Sequence, residues 1–339
     1  MSVPVAPRIA PSIAALRAGA GARTLVRPGD ARSGSTFEFL EIDGQRYLLK
    51  TVSYATDWIM RVTGDVDQRT FRLWRSGLMH QLPTCLDHAV VAMALDGVGA
   101  DLVLGILMRD VSAALVPEGD AVVPLDQHRA FLDHLAGLSA HFAGWRDDLG
   151  LTPMARRFRF FAADVLAPEL DRPEPDVVVQ IAARGWARLA ESAPDLHALL
   201  ASVHRRPAPL ADALARTPAT FLHGDWKMGN LGSHQDGRTV LLDWAYPGAG
   251  PPCWDFAWYL ALNRARLPES KEDTIEAFRG ALARHGLDPG EWFDVQLALC
   301  LLGMTATIGW EKALGPDDEL DWWARAAFAG ARVLDGSGS

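Results

Sequence analysis

Two short runs rich in aromatic and aliphatic side chains, residues 37–42 and 45–50, flank the pair Asp43-Gly44. This spacing predicts two strands joined by a two-residue hairpin turn. Pairing about that turn sets Lys50 opposite Phe37, beside Gly34-Ser35-Thr36, so a cation meets a glycine-containing loop. Residues 67–78 read as helical, and 102–108 as a buried strand that ends at the polar pair Arg109-Asp110. Beyond that break the period becomes helical. Phe131, Leu135, Leu138, Phe142 and Trp145 recur at steps of four and three, with Asp126 as the expected N-cap. Further helices are expected over 181–200, 271–285 and 292–310, and the last is apolar almost all round, which marks a central helix.

A chain of 339 residues exceeds the roughly 250–300 at which one core stops growing, so two lobes are expected. The 49% hydrophobic and 22% charged residues are the balance of an ordinary globular protein. A net charge of -9 argues against a nucleic-acid surface and suits a cationic ligand. Cys85, Cys253 and Cys300 form no C-x-x-C pair, so neither a disulfide framework nor a cysteine zinc site is expected, and a reducing cytoplasm fits. No apolar run reaches the roughly 18 residues of a membrane span, so no membrane partner is expected. Pro4, Pro7 and Pro11 interrupt the alanine-rich start, and residues 1–22 read as a loose leader. The D-G-S-G-S ending, residues 335–339, reads as a flexible tail.

The densest chemistry lies in residues 221–262. H-G-D-W-K-M-G-N occupies 223–230, L-L-D-W occupies 241–244, and W-D-F-A-W-Y-L-A occupies 254–261. Asp236-Gly237 is a second hairpin signal, and the runs 231–234 and 239–242 can pair about it. Residues 230 and 243 are equidistant from that turn, so the Asn230 amide and the Asp243 carboxylate are expected on one face as opposite members of a pair. Two hard oxygen donors with positions left for phosphate and water suit magnesium. Asp225 stands five residues before Asn230, the spacing of an acidic base ahead of a metal-binding asparagine in kinase catalytic loops. Lys227 between them can neutralise developing phosphate charge or face solvent. Asp255 can cap a helix or support the site. The late tryptophans Trp292, Trp310, Trp322 and Trp323 read as core, with a substrate cleft as the alternative.

Taken together, H-G-D-x-x-x-x-N, a hydrophobic strand ending in Asp243-Trp244, and P-x-x-x-D-x-A over residues 251–257 resemble the aminoglycoside phosphotransferase and choline kinase superfamily. The resemblance spans nearly the whole chain. It implies an α+β, bilobal protein-kinase-like fold, with a small β-rich nucleotide-binding lobe (23–108), a hinge (109–112) and a larger helical lobe (113–334). It implies ATP as phosphoryl donor, Mg2+ as cofactor, and a small hydroxylated acceptor. By position it makes Asp225 the catalytic base, Asn230 and Asp243 the magnesium ligands, Asp255 a structural carboxylate, and His223 a residue that orients the loop. Lys50 would contact the α and β phosphates beside Gly34 and Ser35, and Met108 and Asp110 would lie in the segment next to adenine. One departure stands out: kinases of this fold pair that lysine with a glutamate on the next helix, and none occurs between Glu41 and Glu118. Asp65 or Asp67 is expected to reach Lys50 instead, unless phosphate alone holds it.

Family acceptors include aminoglycosides, amino alcohols, sugars and other antibiotics, so antibiotic resistance is one role among several. Glu269, Glu272, Asp273, Glu291, Asp317, Asp318, Glu319 and Asp321 read first as a solvated acidic face, with attraction of an amine-bearing acceptor as the alternative. A monomer or homodimer is expected. The alternative reading is a catalytically weak, nucleotide-binding pseudokinase. A protein kinase is disfavoured because H-G-D replaces H-R-D and neither D-F-G nor A-P-E is recognisable.

Overall fold

The computed structural model describes residues 6–26 and 33–336. Its first part is built on a five-stranded antiparallel sheet. In chain order the elements are α1 (Ile13–Leu16), β1 (Ala20–Val26), β2 (Thr36–Ile42), β3 (Gln45–Ser53), α2 (Trp58–Thr63), α3 (Arg69–Arg75), β4 (Leu86–Asp87), β5 (Val90–Asp96) and β6 (Val103–Arg109). The sheet order is β1-β2-β3-β6-β5. Asp43 and Gly44 take φ of 53° and 73°, the left-handed pair a two-residue hairpin requires, and Lys50 faces Phe37 in the register. The helix expected over 67–78 is shorter: it ends at Arg75, and a 3-10 turn follows at Leu78–Gln81.

The two faces of the sheet bury different partners. Leu40, Leu49, Ala92, Ala94 and Leu107 pack on Ile13 and Leu16 of α1, while Ile106, Met108 and Val90 join the main core. Gly105 permits the first contact, since a Cβ there would lie 2.8 Å from Ile13 Cγ1. Residues 6–22 are therefore not a loose leader. Ala10 and Met93 N–H groups bond to Met93 and Arg8 carbonyls at 2.8 and 3.1 Å, and Trp74 Nε1 donates to Arg8 O at 3.1 Å. The prolines stop a long helix but leave Ile13 and Leu16 free to cover a sheet face. Residues 1–5 and 337–339 lie outside the described residues.

The second part is mostly helical: α4 (Leu125–His141), α5 (Met154–Arg157), α6 (Ala163–Leu170), α7 (Val177–Ser192), α8 (Pro194–Arg205) and α9 (Ala208–Ala215) precede four short strands. These are β7 (Thr220–Leu222), β8 (Leu231–Ser233), β9 (Thr239–Leu241) and β10 (Gly248–Gly250), followed by α10 (Cys253–Leu262), α11 (Lys271–Arg284), α12 (Trp292–Lys312) and α13 (Asp317–Gly336). Helix α13 takes in Asp335 and Gly336, which the sequence assigns to a flexible tail. Pro124, not Asp126, occupies the N-cap of α4, and Asp126 sits one residue inside it, accepting from Gln127 N–H. The helix expected over 181–200 is two helices, because Pro194 opens a new one and cannot donate into the old.

Helix α12 is buried almost all round and packs against α7, α8, α9, α10 and α13. It is also long and apolar enough to cross a membrane, contrary to the reading that no such run exists, but 78% of that window is buried inside the protein. Polar residues within it, Thr305 and Thr307, return their hydroxyls to the helix carbonyls at 2.7 and 2.9 Å, which hides their polarity.

Candidate active site

Residues 223–230 leave β7 and form a loop held from three sides. Trp226 and Met228 are fully buried and anchor it. Asp255, in the first turn of α10, accepts from His223 N–H at 2.8 Å and Gly224 N–H at 2.9 Å, one per carboxylate oxygen. Asn263, just past α10, accepts from Met228 N–H at 3.0 Å. Gly224 must be glycine: its φ is 87°, and a Cβ would fall 1.8 Å from Tyr246 O. His223 Nδ1 accepts from Asp225 N–H at 3.2 Å, and burial drives the imidazole pKa down to about 3, so the ring is neutral and serves as a loop support.

This frame holds Asp225 in a network of donors. Its Oδ1 accepts from Trp258 Nε1 at 2.7 Å, and its Oδ2 accepts from Asn230 Nδ2 at 2.7 Å and Lys227 Nζ at 3.0 Å. Because the Asn230 nitrogen is turned to Asp225, its amide oxygen points away and is presented as a donor for a cation. Burial, and next the charge of Asp243, raise the proton affinity of Asp225, although Lys227 and Asn230 pull against that.

Asp243 follows β9. The register pairs Leu231 with Leu241, and Leu242 N–H bonds to Asn230 O at 2.9 Å, so Asn230 lies opposite Leu242 and not opposite Asp243. The turn explains the one-residue difference. His234 and Arg238 close it around three residues, with Gly237 at φ 87°, and not around Asp236-Gly237 alone. Asp243 reaches the site through its own left-handed backbone, φ 59°, a conformation uncommon outside glycine and asparagine. Its carboxylate meets Lys50 Nζ at 3.0 Å across 193 residues of sequence. Burial works to raise the Asp243 pKa, but the charge and hydrogen bond of Lys50, joined by Lys227, hold the group below the usual carboxylate range.

Lys50 thus finds its counter-charge in Asp243, and neither Asp65 nor Asp67 supplies it. Asp65 is occupied locally, accepting from Arg69 N–H at 2.8 Å. Asp57, which sequence reading missed, also faces Lys50: it is buried, caps α2 through Met60 N–H at 3.0 Å, and feels both the Lys50 and Asp243 charges. Its signal was an aspartate directly before an apolar run, the mark of an N-cap.

The remaining candidates lie at the edges. Gly34 packs on the start of α2, where a Cβ would fall 1.9 Å from Thr56 O, and Ser35 Oγ donates to Asp57 at 3.5 Å. The rest of that loop, 27–32, lies outside the described residues. Met108 is buried in β6. The Asp110 carboxylate is engaged by Ser112 N–H at 3.0 Å and Arg46 at 3.2 Å. An open cleft of about 490 Å³ flanks it, lined by Arg46, Tyr47, Arg109, Val111 and His234, and apart from Asp225, Asn230 and Asp243. Three of the acidic residues of the C-terminal part are paired within the chain: Glu269 contacts His128 and Arg129, Glu272 contacts Trp322, and Glu319 contacts Lys271 and Trp323. Trp310 and Trp323 are core, whereas Trp292 and Trp322 are partly exposed.

A sheet part, a connecting segment and a helical part carrying an H-G-D loop form the architecture of a kinase-like phosphotransferase. Residues 42–292 match the model of the phosphotransferase enzyme family, and the chain belongs to that family. No curated protein sequence matches it significantly. Among solved structures it resembles the choline kinase LicA of Streptococcus pneumoniae, with a TM-score of 0.52 at 13% identity over 94% of both chains. LicA in complex with AMP aligns with a TM-score of 0.52 at 12% identity over 93% of both chains. A Plasmodium vivax ethanolamine kinase aligns with a TM-score of 0.51 at 13% identity, over 91% of this chain and 82% of its own. At these identities the likeness is one of fold.

Proposed function

We propose that this phosphotransferase moves the γ-phosphoryl group of ATP to a hydroxyl of a small molecule. One observation carries the reading: Asp225, Lys227 and Asn230 converge on one carboxylate, while Lys50 from the sheet reaches Asp243 at 3.0 Å. The two aspartates are pushed in opposite directions. Asp225 is raised by burial and can take a proton, whereas Asp243 is held ionised by Lys50.

In this reading Asp225 orients the acceptor hydroxyl and takes its proton as the phosphoryl group transfers. Trp258 and Asn230 fix the carboxylate for that task. Lys50 exchanges part of its pairing with Asp243 for the nucleotide phosphates. The donor set fits magnesium: the free amide oxygen of Asn230 and the Asp243 carboxylate are hard ligands, and among the described residues no cluster of three His, Cys, Asp or Glu competes as a metal site. A magnesium ion held there with the nucleotide would supply charge neutralisation on the phosphates. The AMP complex of the similarly folded LicA supports nucleotide binding.

For the acceptor, choline and ethanolamine kinases of like fold and the net charge of -9 support a hydroxylated amine. The pseudokinase alternative loses its motive, because Lys50 has a carboxylate partner without the missing glutamate. The test is acceptor-stimulated ADP release across amino alcohols, aminoglycosides and sugars, with Asp243→Ala as control. Stimulation by hydroxylated amines that vanishes in the control is expected. Stimulation by neutral sugars alone contradicts the acceptor class, and release that survives in the control contradicts the metal assignment.

A further inference from the structure

We infer that Arg157, the last residue of α5, is a positioning residue for the catalytic loop, acting through Asp255. The inference rests on the phosphotransfer reading of that loop. Arg157 is completely buried, and none of its three guanidinium nitrogens has a hydrogen-bond partner among the described residues. A buried charge left in this way is costly unless an opposite charge faces it. The group is wedged behind the loop. It lies 4.7 Å over the Tyr246 ring, and a Cβ on Gly224 or Gly248 would fall 2.7 and 2.6 Å from its terminal nitrogens. Its own carbonyl accepts from Thr307 Oγ1 of α12 at 3.1 Å, which fixes the base of the side chain in the core.

Of the groups that favour the charged form of Arg157, Tyr246 comes first, followed by two carboxylates, Asp255 and Asp147. Asp147 is engaged by Leu149 and Leu151 N–H groups at 2.9 and 2.6 Å. Among the described residues Asp255 has no cationic hydrogen-bond partner; its oxygens each take one loop amide. It accepts both best as an anion, because a neutral acid is the weaker acceptor and its added O–H needs a partner of its own. The strongest influences on Asp255 besides burial are Arg157 from α5 and Asp225 and the amides of His223 and Gly224 from the loop, and Cys300 from α12 also feels its charge. Arg157 is the one cation in that set. Burial pushes Asp255 up to about 6, and Arg157 is the strongest influence keeping it from going higher. The arginine therefore sustains the anion that grips the two residues immediately before Asp225.

The experiment compares the full-length wild type with Arg157→Lys and Arg157→Met by two readouts: the pH dependence of kcat, and amide hydrogen exchange at residues 223–224 without nucleotide or acceptor. In Arg157→Met the acid limb of kcat is expected to move up by about one pH unit or more, with turnover recovering at high pH. Exchange at pH 7 should quicken by about tenfold. Arg157→Lys should resemble the wild type in both. Exchange needs no catalysis, so it decides the inference even if the wild type transfers no phosphoryl group, an outcome that counts against the reading alone. Unchanged exchange in Arg157→Met, or a loss of kcat equal at every pH, overturns the inference. If Arg157→Met does not fold, Arg157→Lys and Asp255→Asn carry the test: wild-type exchange in the first with quickened exchange in the second supports it, and equal exchange in the two overturns it.

Discussion

Asp225 takes hydrogen bonds from Trp258, Asn230 and Lys227, and this residue-scale arrangement makes its carboxylate a fixed object. Its proton chemistry is coupled to Asp255 behind it. The folded pKa of Asp255 is raised to about 6 from 3.8 by burial, so the folded chain binds this proton more tightly than the unfolded chain does. The ionised form therefore opposes folding above about pH 6, and its protonation costs no stability as pH falls through that value. It does release the loop. Turnover is thus expected to fall on the acid side with a midpoint near pH 6 while the melting temperature does not fall over the same interval, measured as a pH-rate profile beside a thermal melt. At this scale the sequence was legible where partners are close in the chain: Asp225 and Asn230 share one loop, and their spacing carries their meeting. Lys50 and Asp243 are 193 residues apart, and Asp57 is identified as a neighbour of both only once the sheet and α2 are assembled.

Among elements, the β2-β3 hairpin followed its turn residues, and the register set Lys50 opposite Phe37 as the spacing predicts. The β8-β9 hairpin did not, because Gly237 can close either a two-residue or a three-residue loop, and one extra residue shifts the pairing of Asn230 from Asp243 to Leu242. The segment before β2 shows a different limit. Its prolines argue for a loose leader, yet two apolar residues are enough to dock α1 on the sheet. Helix α2 carries an element-scale prediction. Asp57 caps it and stands beside Lys50, so Asp57→Ala should lower stability by about 1 kcal/mol, the usual loss of an N-cap. The same change should weaken ATP binding, since Lys50 loses one of two nearby carboxylates. Chemical denaturation and nucleotide titration of the one variant check both parts.

At the scale of the whole molecule, the two parts divide the work. The sheet delivers Lys50 on a largely half-buried strand, and the helical part builds its loop on α10, which packs against the enclosed α12. The H-G-D loop and the later aspartates made this division readable from sequence, whereas the pairing of Glu269, Glu272 and Glu319 with partners elsewhere in the chain was not, since a charge written in a sequence does not reveal its own neighbour. The central claim is that Asp225 serves transfer to a hydroxyl and not nucleotide binding. Phosphorus NMR of ATP, magnesium and the best acceptor with wild type and Asp225→Asn tests it most directly. The account predicts a phosphomonoester signal with the wild type, formed roughly 10²–10⁴-fold more slowly by the variant at unchanged ATP affinity. Phosphomonoester formed at the wild-type rate by Asp225→Asn, or inorganic phosphate as the sole product of the wild type, would contradict it.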